Sequence, residues 1–281
     1  MRIFVTGAGG QLGREVVAAF AGHDVVAADH TTLDVADRDA VLGAITTTRP
    51  DAIVHAAAWT AVDACESEPD HAFLVNGIAT RHVADAARRV GARVCYISTD
   101  YVFDGTKTEP YIEWDVPNPR SVYGASKLAG ELELRGDPDA TIVRISYVCG
   151  EHGTNMVKTI LRLAGEHDTL RFVDDQRGHP TFAADAAPMI RRLVVDRRPG
   201  CFHVTNQGAV SWYEFARAVL EAAGADPSRV QPISTADLDP PRVAPRPANS
   251  VLDNAALRLS GLPLLPHYRE SLDRLVRRLE G

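Results

Sequence analysis

The stretch RIFVTGAGGQLG, residues 2–13, decides the fold of this chain. An apolar run ends in a glycine-rich turn and helical spacing follows at once, which predicts a strand, a loop and a helix. Gly7, Gly10 and Gly13 are spaced so that the backbone can turn tightly and approach a pyrophosphate, and the start of the helix offers free N–H groups. The stretch predicts a dinucleotide phosphate site, and the alternative is a glycine-rich turn without a ligand.

Beyond this stretch the strand–helix alternation continues. Apolar runs recur at DVVAAD, AIVHAAA, RVCYIST and ATIVRIS, separated by helical patterns. This predicts an α/β fold, a Rossmann-type doubly wound parallel sheet with a smaller C-terminal substrate-binding lobe. We assign residues 1–148 to a dinucleotide-binding domain, to which about 180–206 return with one more helix and strand. About 149–179 and 207–281 form mainly the substrate-binding lobe.

Composition limits the classes of function. The 281 residues carry a net charge of −7 without long runs of one sign, which argues against nucleic-acid and membrane-surface binding. No apolar run approaches the ~20 residues of a membrane helix. The start MRIFVTG does not have the pattern of a signal peptide. The cysteines are scattered without a C-x-x-C pair, so we expect reduced, buried thiols in a cytoplasmic protein. They are Cys65, Cys95, Cys149 and Cys201.

Ligands of open parallel sheets bind beyond the carboxyl ends of the strands. Asp29 ends the second strand, where a carboxylate accepts a hydrogen bond from an adenosine ribose hydroxyl, although an ordinary loop aspartate remains the alternative. Asp34 and Val35 follow at the next turn as candidates to flank the adenine. The third strand ends in side chains small enough for a flat cofactor to lie against, or for tight packing alone. These are Ala56, Ala57 and Ala58.

The stretch SVYGASKLAGE, residues 121–131, places a phenol and an ammonium on one helical face, since residues four apart are neighbours there. The ammonium of Lys127 is expected to lower the pKa of Tyr123 towards working pH. Such a tyrosine can exchange a proton with a carbinol oxygen. Just upstream, a strand ends in Ser98, Thr99 and Asp100, where a hydroxyl would reach the same substrate oxygen. Together these residues predict an acid–base site.

These features resemble the extended short-chain dehydrogenases/reductases. Further stretches resemble the dTDP-4-dehydrorhamnose reductase family over essentially the whole chain. They are GQLG, AAAWTAVDACESEP, STDYVFDG, PYIEWDVPNPRSVYGASKLAGE, DDQRGHPT and RPANSVLDN. The resemblance implies that NADPH reduces the C4 carbonyl of a dTDP-sugar. In that case Tyr123 donates the proton, Lys127 binds the nicotinamide ribose and Thr99 assists at the substrate.

The resemblance also implies further ligand contacts. Ser98, Gln11 and Leu12 join the glycines and the strand-end residues around the cofactor. Arg246 is the candidate partner of the diphosphate, because arginine forks match phosphate oxygens; the alternative is a solvated arginine in a proline-rich loop. Tyr147 stands where the family usually carries tryptophan. The implied substrate-binding residues are Thr99, Asp100, Tyr147, Asn155, Gln176, Thr181 and Arg246.

The sequence gives two conflicting indications about which nicotinamide cofactor is used. Asp29 would repel a ribose 2′-phosphate, and no lysine or arginine follows it immediately, which favours NADH. The resemblance favours NADPH. Arg14, Arg38 or a protonated His30 would reconcile the two by approaching the phosphate. We predict that both cofactors are used, with discrimination below about tenfold.

Several alternatives stay open. Another dTDP-deoxysugar 4-ketoreductase or a nucleotide-sugar epimerase would carry similar motifs, and so would a non-catalytic NADP-binding regulatory subunit. Some members of the family form metal-bridged dimers through glutamates. Glu15 is a candidate for one such ligand, but the others cannot be placed. Mg²⁺ is therefore left unassigned, and the chain is expected to be a monomer or a homodimer.

Overall fold

The computed structural model describes residues 1–280, and these form strands and helices along the whole range. The strands are β1 (Arg2–Thr6), β2 (Asp24–Ala28), β3 (Ala52–His55), β4 (Arg93–Thr99), β5 (Thr141–Ile145), β6 (Val148–Cys149), β7 (Leu170–Val173), β8 (Arg177–Gly178), β9 (Thr181–Phe182), β10 (Gly200–His203), β11 (Val210–Ser211) and β12 (Val230–Ile233). The α-helices are α1 (Gln11–Ala19), α2 (Arg38–Thr48), α3 (Val62–Ser67), α4 (Pro69–Phe73), α5 (Ala79–Val90), α6 (Val122–Glu133), α7 (Met156–Glu166), α8 (Ala183–Val195), α9 (Trp212–Ala222), α10 (Ala255–Leu259) and α11 (Tyr268–Glu280). A π-helical segment, Leu74–Ile78, joins α4 to α5.

Six strands form one sheet in the order β2-β1-β3-β4-β5-β10, and every neighbouring pair is parallel. β1 lies between β2 and β3, so the direction of winding reverses at this point. In a parallel sheet this reversal opens a crevice beyond the carboxyl ends of the strands, where ligands bind. The predicted Rossmann-type sheet is confirmed.

Both faces of the sheet are covered, because successive side chains of a strand point to opposite faces. Ile3 and Val5 of β1 pack with α1 and α8 on one face. Phe4 packs with α2 and α5 on the other face. The prediction that the sheet is doubly wound is therefore also confirmed.

A third hydrophobic core lies outside the sheet. It is built from α7, α9 and α11 around Phe215 and Tyr268, with strands β7 and β12 beside it. Between its parts the chain returns to the sheet, since α8 packs on α1 and β10 pairs with β5. The domain limits given above remain a prediction. None of the helices in residues 1–280 has the length and apolar character needed to cross a bilayer.

Candidate active site

The glycine loop follows β1 and is held by its own backbone. Gly7 has φ +66°, a conformation that other L-residues rarely adopt, and a Cβ there would lie 2.6 Å from the nitrogen of Ala57. A Cβ on Gly13 would collide with the carbonyl oxygen of Gly7. Gly10 begins α1 without a side-chain cap, so the first N–H groups of the helix have no side-chain acceptor. This arrangement suits a phosphate group.

Asp29 follows β2 and faces the glycine loop. One carboxylate oxygen accepts hydrogen bonds from the backbone and hydroxyl groups of Thr31 and Thr32, and the hydroxyl of Thr31 is the main cause that lowers the pKa of Asp29. The other oxygen, Oδ2, lies towards Gly9. Arg14 donates to the carbonyl of Gly9 at 3.1 Å, so its guanidinium lies on the same loop. A carboxylate oxygen and a cation therefore each lie beside the backbone of Gly9.

The residues predicted around the adenine and nicotinamide are only partly at the cleft. Asp34 is exposed and caps its own turn through the N–H of Ala36. The side chain of Val35 is buried in the core under α5, and its contact with an adenine remains a prediction. Ala56 and Ala58 line the cleft, whereas Ala57 packs against the core behind Gly7.

Tyr123 is the second residue of α6 and lies two residues after Ser121, whose hydroxyl caps the helix by accepting from the N–H of Gly124 at 3.1 Å. The phenol is 9% exposed. Burial raises the pKa of Tyr123 above its ordinary value, and a hydrogen bond with Thr99 opposes this only in part. The expected net lowering of the Tyr123 pKa is therefore wrong, because burial outweighs the effect of the Lys127 ammonium. The phenol keeps its proton at neutral pH.

Lys127 lines the cleft, and its side chain is almost fully buried. Its ammonium donates to the carbonyl of Ile97 at 2.7 Å and lies 4.1 Å from the centre of the Tyr96 ring. Burial lowers the pKa of Lys127 to about 7, and the carboxylate of Glu131 opposes that shift. Lys127 is thus a buried cation with a backbone acceptor and an aromatic face.

Asp100 follows Thr99 at the end of β4 and is 2% exposed. The Thr99 hydroxyl donates to its Oδ1 at 3.0 Å, but Oδ2 has no partner. Burial raises the pKa of Asp100 to about 7, and hydrogen bonds from Ser250 and Thr99 oppose this shift. A buried oxygen without a donor is costly, so Asp100 is prepared to accept a hydrogen bond from a ligand.

Two aromatic side chains form the opposite wall. Tyr147 has φ +44° and stacks on Trp212, with ring centres 3.9 Å apart and an angle of 16° between the planes. Gly178 makes room for this tyrosine, because a Cβ there would touch the ring. Trp212, the first residue of α9, was not predicted, since nothing in its local sequence indicates that it reaches Tyr147.

The remaining predicted substrate residues are engaged elsewhere. Asn155 caps α7 and donates 2.7 Å hydrogen bonds to Gln11 Oε1 and to the carbonyl of Gly150. Gln11 in turn donates to the carbonyl of Val148, so this pair joins the start of α1 to α7 of the third core. Gln176 donates to Thr235 at 2.8 Å.

Thr181 and Arg246 are also not among the residues that line the cleft. The hydroxyl of Thr181 is buried without a partner. Arg246 forms a two-pronged ion pair with Asp63, both contacts 2.8 Å long, and this pair lowers the pKa of Asp63 to about 2. The diphosphate contact of Arg246 remains a prediction. It would be made by a guanidinium that is already paired with Asp63.

The cleft has a volume of about 530 Å³ and runs from the glycine loop to the Tyr147–Trp212 wall. Ligand pockets in proteins measure roughly 300–1,000 Å³, so the cleft has the size of a ligand-binding site. The predicted residues that the structure brings together along it are Gly7, Gly10, Gln11, Leu12, Ala56, Ala58, Ser98, Thr99, Asp100, Tyr123, Lys127 and Tyr147.

The four cysteines and the candidate metal ligand Glu15 do not line this cleft. All four thiols are free, three of them buried and Cys201 half-buried, and burial raises the pKa of Cys95 and Cys149 to about 12. Within residues 1–280 no group of three or more His, Cys, Asp or Glu side chains is placed to hold a metal ion. Glu15 therefore stays unassigned.

The cleft geometry agrees with comparisons to known proteins. The family described as RmlD substrate binding domain matches residues 1–280. A dTDP-4-dehydrorhamnose reductase of Streptomyces griseus is 42% identical over 96% of this chain and 91% of that protein. A dTDP-4-keto-6-deoxy-D-glucose reductase of Streptomyces niveus is 40% identical over 96% and 95%. A crystal structure of dTDP-4-dehydrorhamnose reductase from Bacillus anthracis in complex with NADP has a TM-score of 0.94 and 38% identity, covering 100% of this chain and 99% of that chain. The resemblance found in the sequence is confirmed, and the chain belongs to the dTDP-4-dehydrorhamnose reductase family.

Proposed function

We propose that the chain reduces the C4 carbonyl of dTDP-6-deoxy-L-lyxo-4-hexulose (dTDP-4-dehydro-L-rhamnose) to give dTDP-L-rhamnose, with NAD(P)H as reductant. The observation that carries the proposal is the position of the Tyr123 phenol. It lies beside Thr99 and Asp100 at the carboxyl edge of the sheet, in one cleft with the glycine loop. A module that only bound a dinucleotide would not require a buried acid at this place.

The residues present fit a nicotinamide dinucleotide. The uncapped start of α1 and the cradle that Gly7 and Gly13 keep open would hold the phosphates. Asp29 would accept from the adenosine ribose, and Lys127 would bind the nicotinamide ribose. When bound, the dinucleotide supplies the hydride that reduces the carbonyl carbon.

The chain supplies the proton. Because burial keeps the Tyr123 phenol neutral, it can donate its proton to the carbonyl oxygen as that oxygen gains negative charge. Thr99 assists at the same oxygen, and Asp100 offers an acceptor to a sugar hydroxyl. The ammonium of Lys127 favours the phenolate that remains, which then takes a proton from solvent.

We propose that both NADPH and NADH are accepted. The crystal structure of the Bacillus anthracis relative is a complex with NADP. Arg14, bound to the carbonyl of Gly9, would be the cation for a 2′-phosphate, and Asp29 would be the acceptor for an unmodified ribose. We further propose a cytoplasmic location, which the four free thiols favour.

The second candidate is the same reduction on a 4-keto sugar of different configuration. It is favoured by the 40% identity to the Streptomyces niveus protein named dTDP-4-keto-6-deoxy-D-glucose reductase. Reduction at C4 would use the same tyrosine, so the choice depends on the wall formed by Tyr147 and Trp212.

The test is product analysis. Purified protein is incubated with NADPH and, separately, with dTDP-6-deoxy-L-lyxo-4-hexulose and with dTDP-4-keto-6-deoxy-D-glucose, and the product sugar is identified by NMR. We expect oxidation of NADPH and formation of dTDP-L-rhamnose from the first substrate. Preferred turnover of the second substrate would support the second candidate. Cofactor binding without turnover of either would contradict both.

A further inference from the structure

A third residue continues the row of Tyr123 and Lys127 along α6. Glu131 lies four residues after Lys127, on the same face of the helix. Its carboxylate forms a two-pronged ion pair with Arg144 of β5, with contacts of 2.9 and 2.7 Å. The two side chains are only 6% and 5% exposed. Replacing such a buried pair by apolar residues is often neutral or stabilising, so stability alone does not explain its presence under the cleft.

Glu131 reaches the cleft through Ser98. The Ser98 hydroxyl donates to Glu131 Oε1 at 2.5 Å, and Ser98 lines the cleft at the end of β4. A serine hydroxyl has one hydrogen and two lone pairs. Since its hydrogen is directed to Glu131, Ser98 can only accept hydrogen bonds from a ligand in the cleft.

Glu131 also faces the buried cation. Lys127 is surrounded by Tyr123 and Glu131 of its own helix, His55 of β3 and Tyr96 of β4. Burial lowers the pKa of His55 to about 3 and raises that of both tyrosines, so these three groups are neutral at neutral pH. Glu131 is the group whose charge favours the Lys127 ammonium.

The far side of the ion pair carries further ionisable groups. Arg144 lies near Glu113, Cys201 and His203 as well as Glu131. It lies over the ring of Phe103, 5.1 Å from its centre. His203 is neutral at neutral pH, because burial lowers its pKa to about 3. Arg144 therefore holds the carboxylate of Glu131 where it accepts from the Ser98 hydroxyl and favours the charged form of Lys127.

We propose that Glu131 is a positioning residue of the active site. Held by Arg144, its carboxylate fixes the direction of the Ser98 hydroxyl and is the counter-charge of the Lys127 ammonium. The identity of the cofactor that Ser98 and Lys127 would contact rests on the proposed function. The arrangement of charges around them is independent of that function.

Lysine NMR tests this directly on the protein alone. The sequence contains three lysines, Lys107, Lys127 and Lys158, so protein labelled with ¹³C at the lysine ε-carbons gives three resonances to titrate. In Glu131→Gln we expect the midpoint of Lys127 to fall by about one unit, a tenfold change in the protonation equilibrium. The midpoints of Lys107 and Lys158 should not move, and they serve as internal references.

The matched control is Glu133→Gln. Glu133 lies on the same helix as Glu131 and forms a similar two-pronged pair with Arg81 of α5, but Arg81 is 53% exposed. We expect this variant to leave the Lys127 midpoint unchanged. NADPH affinity is measured by fluorescence against pH. As the pH rises, the affinity should be lost at a lower pH in Glu131→Gln than in wild type and in Glu133→Gln.

Glu131→Gln leaves Arg144 buried without its anion, so the variant can fail to fold. The double variant Glu131→Met with Arg144→Met removes both charges and keeps the volume apolar. We expect it to fold and to show the same fall of the Lys127 midpoint. A folded double variant with the wild-type midpoint would overturn the proposal, and so would failure of both variants to fold, since the pair would then be structural. Because the titration needs no sugar, absence of reductase activity would contradict the proposed function and leave this result standing.

Discussion

The two sides of the cleft are built in different ways. On the cofactor side, backbone conformation forms the site, as at Gly7, whose positive φ leaves space that a side chain would fill. On the substrate side, two of the predicted polar side chains are already paired, Arg246 with Asp63 and Asn155 with Gln11. A backbone site is visible in a short stretch of sequence. A site made of paired side chains depends on residues that are far apart in the chain.

The largest effect is expected where the two sides meet. Tyr123→Phe removes one hydroxyl and little volume, so it should lower kcat by about 10²–10⁴-fold, the usual contribution of a general acid. Cofactor affinity should stay near that of wild type, because the glycine loop is untouched. Steady-state kinetics and NADPH titration measure the two quantities. A variant that keeps more than about a tenth of the wild-type kcat would contradict the assignment of the acid.

On the cofactor side, Gly13→Ala tests whether the backbone forms the site. The new Cβ would collide with the Gly7 carbonyl and push the loop away from α1. We expect NADPH affinity to fall by about 10²-fold, since a displacement near 1 Å has effects of this size.

The control for this change is Gly43→Ala in the middle of α2, where a Cβ would meet nothing within 4 Å. It should raise the free energy of unfolding by about 0.5–1 kcal/mol, because alanine favours a helix over glycine. Its NADPH affinity should equal that of wild type. Equal affinities for Gly13→Ala and wild type would show that the loop does not hold the cofactor.

On the substrate side, Asp100→Asn should change how stability depends on pH. The folded pKa of about 7 lies above the unfolded value of 3.8. The stability that Asp100 contributes is therefore fully present below the unfolded pKa and is lost as pH rises through about 7. Relative to wild type, Asp100→Asn should gain about 2 kcal/mol in free energy of unfolding between about pH 5 and pH 8.5. Denaturant unfolding at both pH values measures the difference, and parallel curves would mean that Asp100 is not a buried, weakly partnered acid.

Arg246 decides whether a paired side chain can also bind substrate. Arg246→Ala should weaken dTDP binding by about tenfold, since it removes an arginine fork. Asp63→Asn is the informative companion, because it frees the guanidinium. We expect Asp63→Asn to bind dTDP at least as tightly as wild type in calorimetry. Equal weakening by both changes would mean that the pair only holds the loop in place.

The smallest effect concerns cofactor choice. Asp29→Ala removes a ribose acceptor and a repulsive charge together, so the ratio of kcat/KM for NADPH to that for NADH should rise, by less than about tenfold. Hydrogen bonds from Thr31 and Thr32 hold the Asp29 carboxylate towards the glycine loop. We therefore expect a measurable change in the ratio. A ratio that does not move would mean that Asp29 does not contact the ribose.

Local sequence was sufficient for the sheet, the glycine loop and the row formed by Tyr123 and Lys127. Strand–helix alternation, the need for φ > 0 at Gly7 and the four-residue helical spacing are all short-range properties. Glu131 was within reach of the same reasoning, since it continues that row by four residues. Its partner Arg144 was not, because no short-range rule joins α6 to β5.

The sequence by itself determined the fold class, the place of the dinucleotide loop and the identity of the candidate acid. Only the tertiary structure decided the direction of the pKa of Tyr123, because burial depends on every element packed around it and outweighs the effect expected from Lys127. It also decided that Arg246 is paired with Asp63, 183 residues away in the chain, and that Trp212 stacks on Tyr147. Spacing along a helix is set by local geometry, whereas charge, exposure and partners are set by which distant segments the fold brings together.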